Sequence, residues 1–167
     1  VSKKPLRIVL AGGGYSGLEL ACEIKGLVDY LAWKYQVLRE KCEIEIIEGN
    51  SKLIAGFDDK LSVDAYGRAQ ELGIRVSLSS KIVKVDEHFV ELSSGDKISY
   101  DALIWTAGVK AEGMQCSKVL NLDKKDRLCV NEYFQVQNYL NIFSIGDLAN
   151  ITGTNGMPVP GTAQDAW

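Results

Sequence analysis

Three glycines in the pattern Gly12-x-Gly14-x-x-Gly17, and a glutamate closing a β-branched run, Glu48, are the residues of this chain best suited to chemistry. The glycine spacing suits a dinucleotide. Gly12 permits a tight turn, Gly14 lets a pyrophosphate approach the backbone, and Gly17 lets a helix pack closely on a strand. An anion there would face a helix N-terminus formed by Tyr15, Ser16 and Gly17, where free N–H groups and the positive dipole end favour negative charge. Glu48 stands where an acid hydrogen-bonds the adenosine ribose hydroxyls of NAD. No basic residue is adjacent to it, so a 2′-phosphate would meet a like charge and NADH is expected over NADPH. Glu48 follows Gly17 by 31 residues, against roughly 20 in the general pattern. A crossover helix extended through Tyr30-Leu31-Ala32-Trp33-Lys34-Tyr35 would absorb the excess.

The elements around these residues come in the order the chemistry needs. Leu6 to Ala11 is a short, nearly continuous apolar run, the pattern of a strand buried on both faces of a parallel sheet. After the glycine turn, Leu18, Ala21, Ile24, Val28 and Leu31 recur at helical spacing. Glu43 to Glu48 is a second strand, parallel to the first across a right-handed crossover. Asp58 or Asp59 caps a second helix with the stripe Leu61, Ala65, Ala69 and Leu72, and Gly73 follows where a left-handed residue belongs. Ile74 to Leu78 resumes the sheet. Lys81 to Asp86, His88 to Leu92 and Lys97 to Tyr100 then read as a β-meander turned by Ser94-Gly95-Asp96. Ala102 to Gly108 is a further buried strand ending in small residues, and Asn141 to Ile145 is read as another strand. The expected fold is α/β: a Rossmann-like dinucleotide-binding domain over residues 1–110, followed by part of a second domain over 111–167.

Composition narrows the partners. With 167 residues, 46% hydrophobic, the chain has apolar material for one ordinary domain. Its net charge of −3, without a Lys/Arg cluster, argues against a nucleic-acid or anionic-membrane surface. No apolar run approaches the roughly 18 to 20 residues of a membrane span, so a soluble, cytoplasmic chain is expected. It begins with Val, and a strand starts within about five residues, which reads as a piece of a longer protein. Cys22, Cys42, Cys116 and Cys129 contain no CxxC pair and meet a lone imidazole, His88, so neither a redox dithiol nor a metal site has local support. His88 is assigned no role. Glu19 and Glu23 share a helix face; Glu19 lies beside the expected nucleotide.

Four segments carry a family resemblance: Gly12-Gly13-Gly14-Tyr15-Ser16-Gly17-Leu18-Glu19, Tyr100-Asp101-Ala102-Leu103-Ile104-Trp105-Thr106-Ala107-Gly108-Val109, Ile142-Phe143-Ser144-Ile145-Gly146-Asp147-Leu148-Ala149, and Pro160-Gly161-Thr162-Ala163-Gln164-Asp165-Ala166. Together they resemble type II NADH:quinone oxidoreductases, the alternative NADH dehydrogenases of the pyridine nucleotide-disulfide oxidoreductase superfamily. The resemblance implies that Gly12, Gly14, Gly17 and Glu48 bind NADH, that Glu19 lies near it, and that Ala107-Gly108 closes the nicotinamide side. It further implies that residues 111–167 are the C-terminal part of an FAD domain. Gly146-Asp147 would face the flavin's ribityl or pyrophosphate region, and Ala163 and Gln164 the isoalloxazine and quinone site. The implied chemistry is hydride transfer from NADH to FAD and then reduction of a quinone, by a parent enzyme held peripherally on the cytoplasmic face of a membrane. The family's first domain, with its own flavin glycine motif, and its membrane-anchoring part have no counterpart here, so the piece alone is expected to be inactive. Its returning strand must pack back, pair with a second copy in a homodimer, or be mobile. Sulfide:quinone reductases are disfavoured by the intact glycine motif and scattered thiols, and disulfide reductases need a dithiol in their first domain. Ferredoxin- and nitrite-reductase flavoproteins, and a non-catalytic nucleotide-binding module, remain as alternatives.

Overall fold

Period-two alternation within the apolar runs decides which side of the sheet each residue serves. In a computed structural model, which describes residues 4–36, 42–110, 112, 120–153, 156 and 159, the chain divides into two compact units, Val1–Gly108 and Val109–Trp167. The first is built on a parallel sheet. Strands β1 (Leu6–Ala11), β2 (Cys42–Ile47), β3 (Arg75–Ser77) and β7 (Ala102–Trp105) lie in the order β3-β2-β1-β7. Registers such as Ile8 opposite Ile44 and Leu10 opposite Ile104 align them.

Leu10, Ile44 and Ile46 face helices α1 (Tyr15–Tyr35) and α2 (Asp59–Glu71), packing on Ala21, Ala65 and Ala69. Val9 and Ile47, their neighbours in sequence, face the other way. They pack on Val90 and Leu92 of an antiparallel meander made of β4 (Ile82–Val85), β5 (Phe89–Leu92) and β6 (Lys97–Ser99). Both faces are thus covered, which is why these strands read as nearly unbroken apolar runs. Leu10 and Val9 have no exposed surface, and each such side chain contributes about 1.5–3 kcal/mol of burial.

The long first helix predicted from the spacing of Glu48 is present, running to Tyr35 and ending at Gln36 in the left-handed region. Helix α2 starts at the predicted cap: the Asp58 carboxylate accepts from the Lys60 N–H at 2.8 Å. Its buried stripe differs from the predicted one. Ser62, Ala65 and Ala69 face inward while Leu61 is 47% exposed, because small residues let the helix approach the sheet and the Ser62 hydroxyl is satisfied by the Asp58 carbonyl. The meander and its Gly95 turn follow the predicted pattern.

The second unit contains a short parallel pair, β8 (Leu128–Cys129) with β9 (Ala149–Asn150), and a single 3-10 turn at Gly146–Leu148 among the described residues. Arg127 braces the pair, donating to Asp123 and Asn150. Asn141 to Ile145 is not the strand expected: it makes one isolated bridge, Phe143 with Gln135. A turn at Leu140-Asn141 before it and Gly146 at φ +65° after it confine the segment to that single bridge. Among the described residues no helix is long and apolar enough to cross a membrane.

Candidate functional site

Parallel strands end together, and the turns leaving β1, β2 and β7 open a cleft at their carboxyl edge. It is lined by Gly12 and Gly14 after β1, Glu48, Gly49 and Asn50 after β2, and Thr106, Ala107 and Gly108 after β7. Ser80, Lys81 and Ile82 form the remaining wall, and the volume is about 620 Å³. Ligands of open parallel sheets bind at such an edge.

The three motif glycines do different work. Gly12 has φ +107°, and a Cβ there would stand 2.7 Å from the Thr106 carbonyl oxygen. Its N–H donates to Ile47 O at 2.8 Å, while the Thr106 hydroxyl donates to Ala11 O at 2.9 Å. The turn is therefore pinned between β2 and β7. A Cβ at Gly17 would overlap the Gly12 carbonyl oxygen and come within 2.7 Å of Thr106 Oγ1, so glycine is what lets α1 start against the turn. At Gly14 a Cβ would meet nothing within 4 Å. That glycine keeps open the space a pyrophosphate would occupy. Gly14 caps α1 without a side-chain hydrogen bond and the first turn carries no acid, so the N–H groups of Tyr15, Ser16 and Gly17 meet no competing carboxylate.

Glu48 is only 8% exposed. One carboxylate oxygen accepts the Gly13 N–H at 2.6 Å; the other accepts the Asn50 N–H and Asn50 Nδ2, both at 2.7 Å. The side chain thus ties the end of β2 to the glycine turn while lining the cleft. The same corner is tied to the β3–β4 connection, where Ser80 N–H donates to Glu48 O and Ser79 N–H to Asn50 O, each at 2.8 Å. Leu53 is fully buried, and Ile54 N–H donates to Gly13 O at 2.8 Å, holding the turn from its other side.

Of the residues singled out in the sequence, Gly12, Gly14, Glu48, Ala107 and Gly108 line this one cleft. Tyr15, Ser16, Gly17 and Glu19 follow on the opening turns of α1, with Tyr15, Ser16 and Glu19 exposed. Gly146 and Asp147 belong to the second unit, exposed on its 3-10 turn. Ala163, Gln164 and Cys116 lie outside the described residues. Burial pushes the thiols of Cys22 and Cys42 above their ordinary range. Sequence reasoning missed Asn50 and Trp105, which adjoin residues it named, and Ser80, Lys81 and Ile82, which the β3–β4 connection brings to the cleft; the Gly49-Asn50 turn signal was the one local hint.

The pattern of the family described as pyridine nucleotide-disulphide oxidoreductase matches residues 1–167. The chain belongs to that family. A Dictyostelium discoideum relative, named a probable NADH dehydrogenase, is 32% identical over 96% of this chain and 36% of its own length. A type II NADH:quinone oxidoreductase of Haemophilus influenzae is 28% identical over 99% of this chain and 38% of its own length. The solved structure of NDH2 from Plasmodium falciparum in complex with NADH matches with a TM-score of 0.70 at 26% identity, over 88% of this chain and 32% of that one. This pyridine nucleotide-disulphide oxidoreductase chain therefore spans little more than a third of the relatives it matches.

Proposed function

We propose that this chain is the NADH-binding portion of a type II NADH:quinone oxidoreductase, an enzyme that passes hydride from NADH to FAD and electrons onward to a quinone. The observation that carries this reading is the open space at Gly14, over an uncompeted helix N-terminus, in a cleft whose fold is that of an NADH-bound relative. In this reading residues 1–110 hold NADH. The N–H groups of Tyr15, Ser16 and Gly17 bind its pyrophosphate, Glu48 faces the adenosine ribose, Glu19 lies near the nucleotide, and Ala107-Gly108 border the nicotinamide. Residues 111–167 belong to the flavin side, with Gly146, Asp147, Ala163 and Gln164 toward the flavin and quinone.

FAD supplies the redox chemistry in such an enzyme; the residues described here bind and orient the donor. The cleft fits that task, because its backbone donors and open glycine suit a diphosphate and its Trp105-to-Gly108 rim follows a strand end. The whole enzyme acts peripherally at the cytoplasmic face of a membrane in this proposal. Titration of the purified chain by NADH fluorescence tests the first step. Saturable binding that Gly14→Val removes is expected; a folded chain with no affinity for NADH would overturn the reading.

A further inference from the structure

The adenosine wall of the cleft carries a cation that local sequence did not reveal. Lys81 is the basic residue among those lining the cleft, and it shares that wall with Glu48, Gly49 and Asn50. A Cβ placed on Gly49 would lie 3.9 Å from both Lys81 Cα and Lys81 Cβ, so the lysine stem rises directly beside the end of β2. Its backbone is fixed on both sides. Ser80 N–H donates to Glu48 O and Ser93 N–H to Lys81 O, each at 2.8 Å. Lys81 is exposed, and none of the ion pairs among the described residues engages its ammonium group.

Glu48, alone, would repel a phosphate on the ribose 2′ position. Its carboxylate, however, is committed to three N–H donors, the Gly13 N–H, the Asn50 N–H and Asn50 Nδ2, which draws its charge toward the backbone. Lys81 adds a compact positive charge with three donors on a flexible stem rooted in the wall of the same cleft. We propose that Lys81 is a specificity-determining residue that opens this cleft to NADPH as well as NADH. The inference rests on the reading of the cleft as a dinucleotide site, with the adenosine half over β2 and β3.

The test is to titrate NADH and NADPH separately against wild type, Lys81→Ala, Lys81→Glu and Lys81→Arg at low and moderate salt, with circular dichroism as the fold control. In wild type the NADPH-to-NADH ratio of dissociation constants is expected within about tenfold. Losing one charge-assisted contact should widen that ratio about tenfold in Lys81→Ala. Lys81→Glu should widen it further and Lys81→Arg restore it, while salt weakens NADPH binding more than NADH binding. A ratio unchanged across the four proteins, or NADPH excluded by wild type, overturns the role of Lys81 while leaving the cleft as an NADH site. Failure of both nucleotides to bind folded wild type overturns the cleft assignment itself.

Discussion

Two glycines three residues apart, Gly14 and Gly17, should separate binding from stability, and the structure gives the sizes. At Gly14 the backbone is extended, with φ −70° and ψ −177°, a conformation valine adopts readily. A Cβ meets nothing within 4 Å. Losing glycine at the N-cap costs up to about 1 kcal/mol, and reduced freedom of the unfolded chain returns about 0.4–1 kcal/mol. The two nearly cancel, so Gly14→Val should melt within about 5 °C of wild type. NADH affinity should nevertheless fall by more than about 100-fold, because the new methyls fill the approach of the pyrophosphate and remove charge-assisted bonds of about 1.5–3 kcal/mol each. At Gly17 the order reverses. A methyl there collides with the Gly12 carbonyl oxygen, a backbone atom, and with Thr106 Oγ1. Overpacking of up to about 3 kcal/mol, against roughly 1 kcal/mol of better helix propensity, leaves a net loss of about 2 kcal/mol. Gly17→Ala should melt about 10 °C lower. Thermal melts followed by circular dichroism and NADH fluorescence titrations read both effects. Normal NADH binding by Gly14→Val would refute the cradle, and a wild-type melt for Gly17→Ala would refute the packing account.

The remaining predictions concern Glu48, the strand edge and the whole chain. Glu48→Ala strands the Gly13 N–H and should cost about 2 kcal/mol in denaturant unfolding, with NADH affinity falling more than NADPH affinity because the charge opposing a 2′-phosphate is removed; an unchanged unfolding midpoint would leave Glu48 no bracing role. Glu43 is held below the usual carboxylate range by the hydrogen bond from Arg75, then by the charges of Arg75 and Arg7. Its stabilisation is present above the unfolded glutamate value and lost as pH falls through the depressed one. Glu43→Gln should therefore remove less than about 1 kcal/mol near neutrality and flatten the acid side of the stability curve, and parallel curves for the two proteins would count against it. The purified chain should be colourless in the flavin band and should not oxidise NADH with added FAD and quinone, since its described residues hold one strand–glycine–helix unit; a yellow, active preparation would misplace the flavin site.

Local chemistry was legible in the sequence wherever periodicity and punctuation acted within a few residues. The apolar runs at Leu6–Ala11 and Glu43–Glu48, the cap at Asp58, the left-handed Gly73 and the Gly95 hairpin all carry their own signals and stand within a residue of where those signals put them. The excess of residues before Glu48 was also readable, as helix. Where small-residue packing competes with hydrophobicity, the pattern misled: α2 buries Ser62 and exposes Leu61. Asn141 to Ile145 has strand composition, yet the turns at its two ends allow it one bridge.

What the sequence hid is the part of the cleft made by pairing loops that are far apart in the chain. Glu48 was identified from its place at a strand end, which points outward to a ribose. Its carboxylate also reaches 35 residues back to Gly13, and no local pattern encodes that reach. Lys81 was read as the first residue of a meander strand, and Ser80 N–H bonding to Glu48 O brings it to the adenosine wall. An acid at the end of β2 therefore cannot be weighed by its charge alone. Its hydrogen bonds set how much of that charge a 2′-phosphate meets, and the lysine across Gly49 sets what opposes it. Nucleotide preference in this cleft is a property of the Glu48–Asn50–Lys81 corner, assembled only once β3 is seated beside β2.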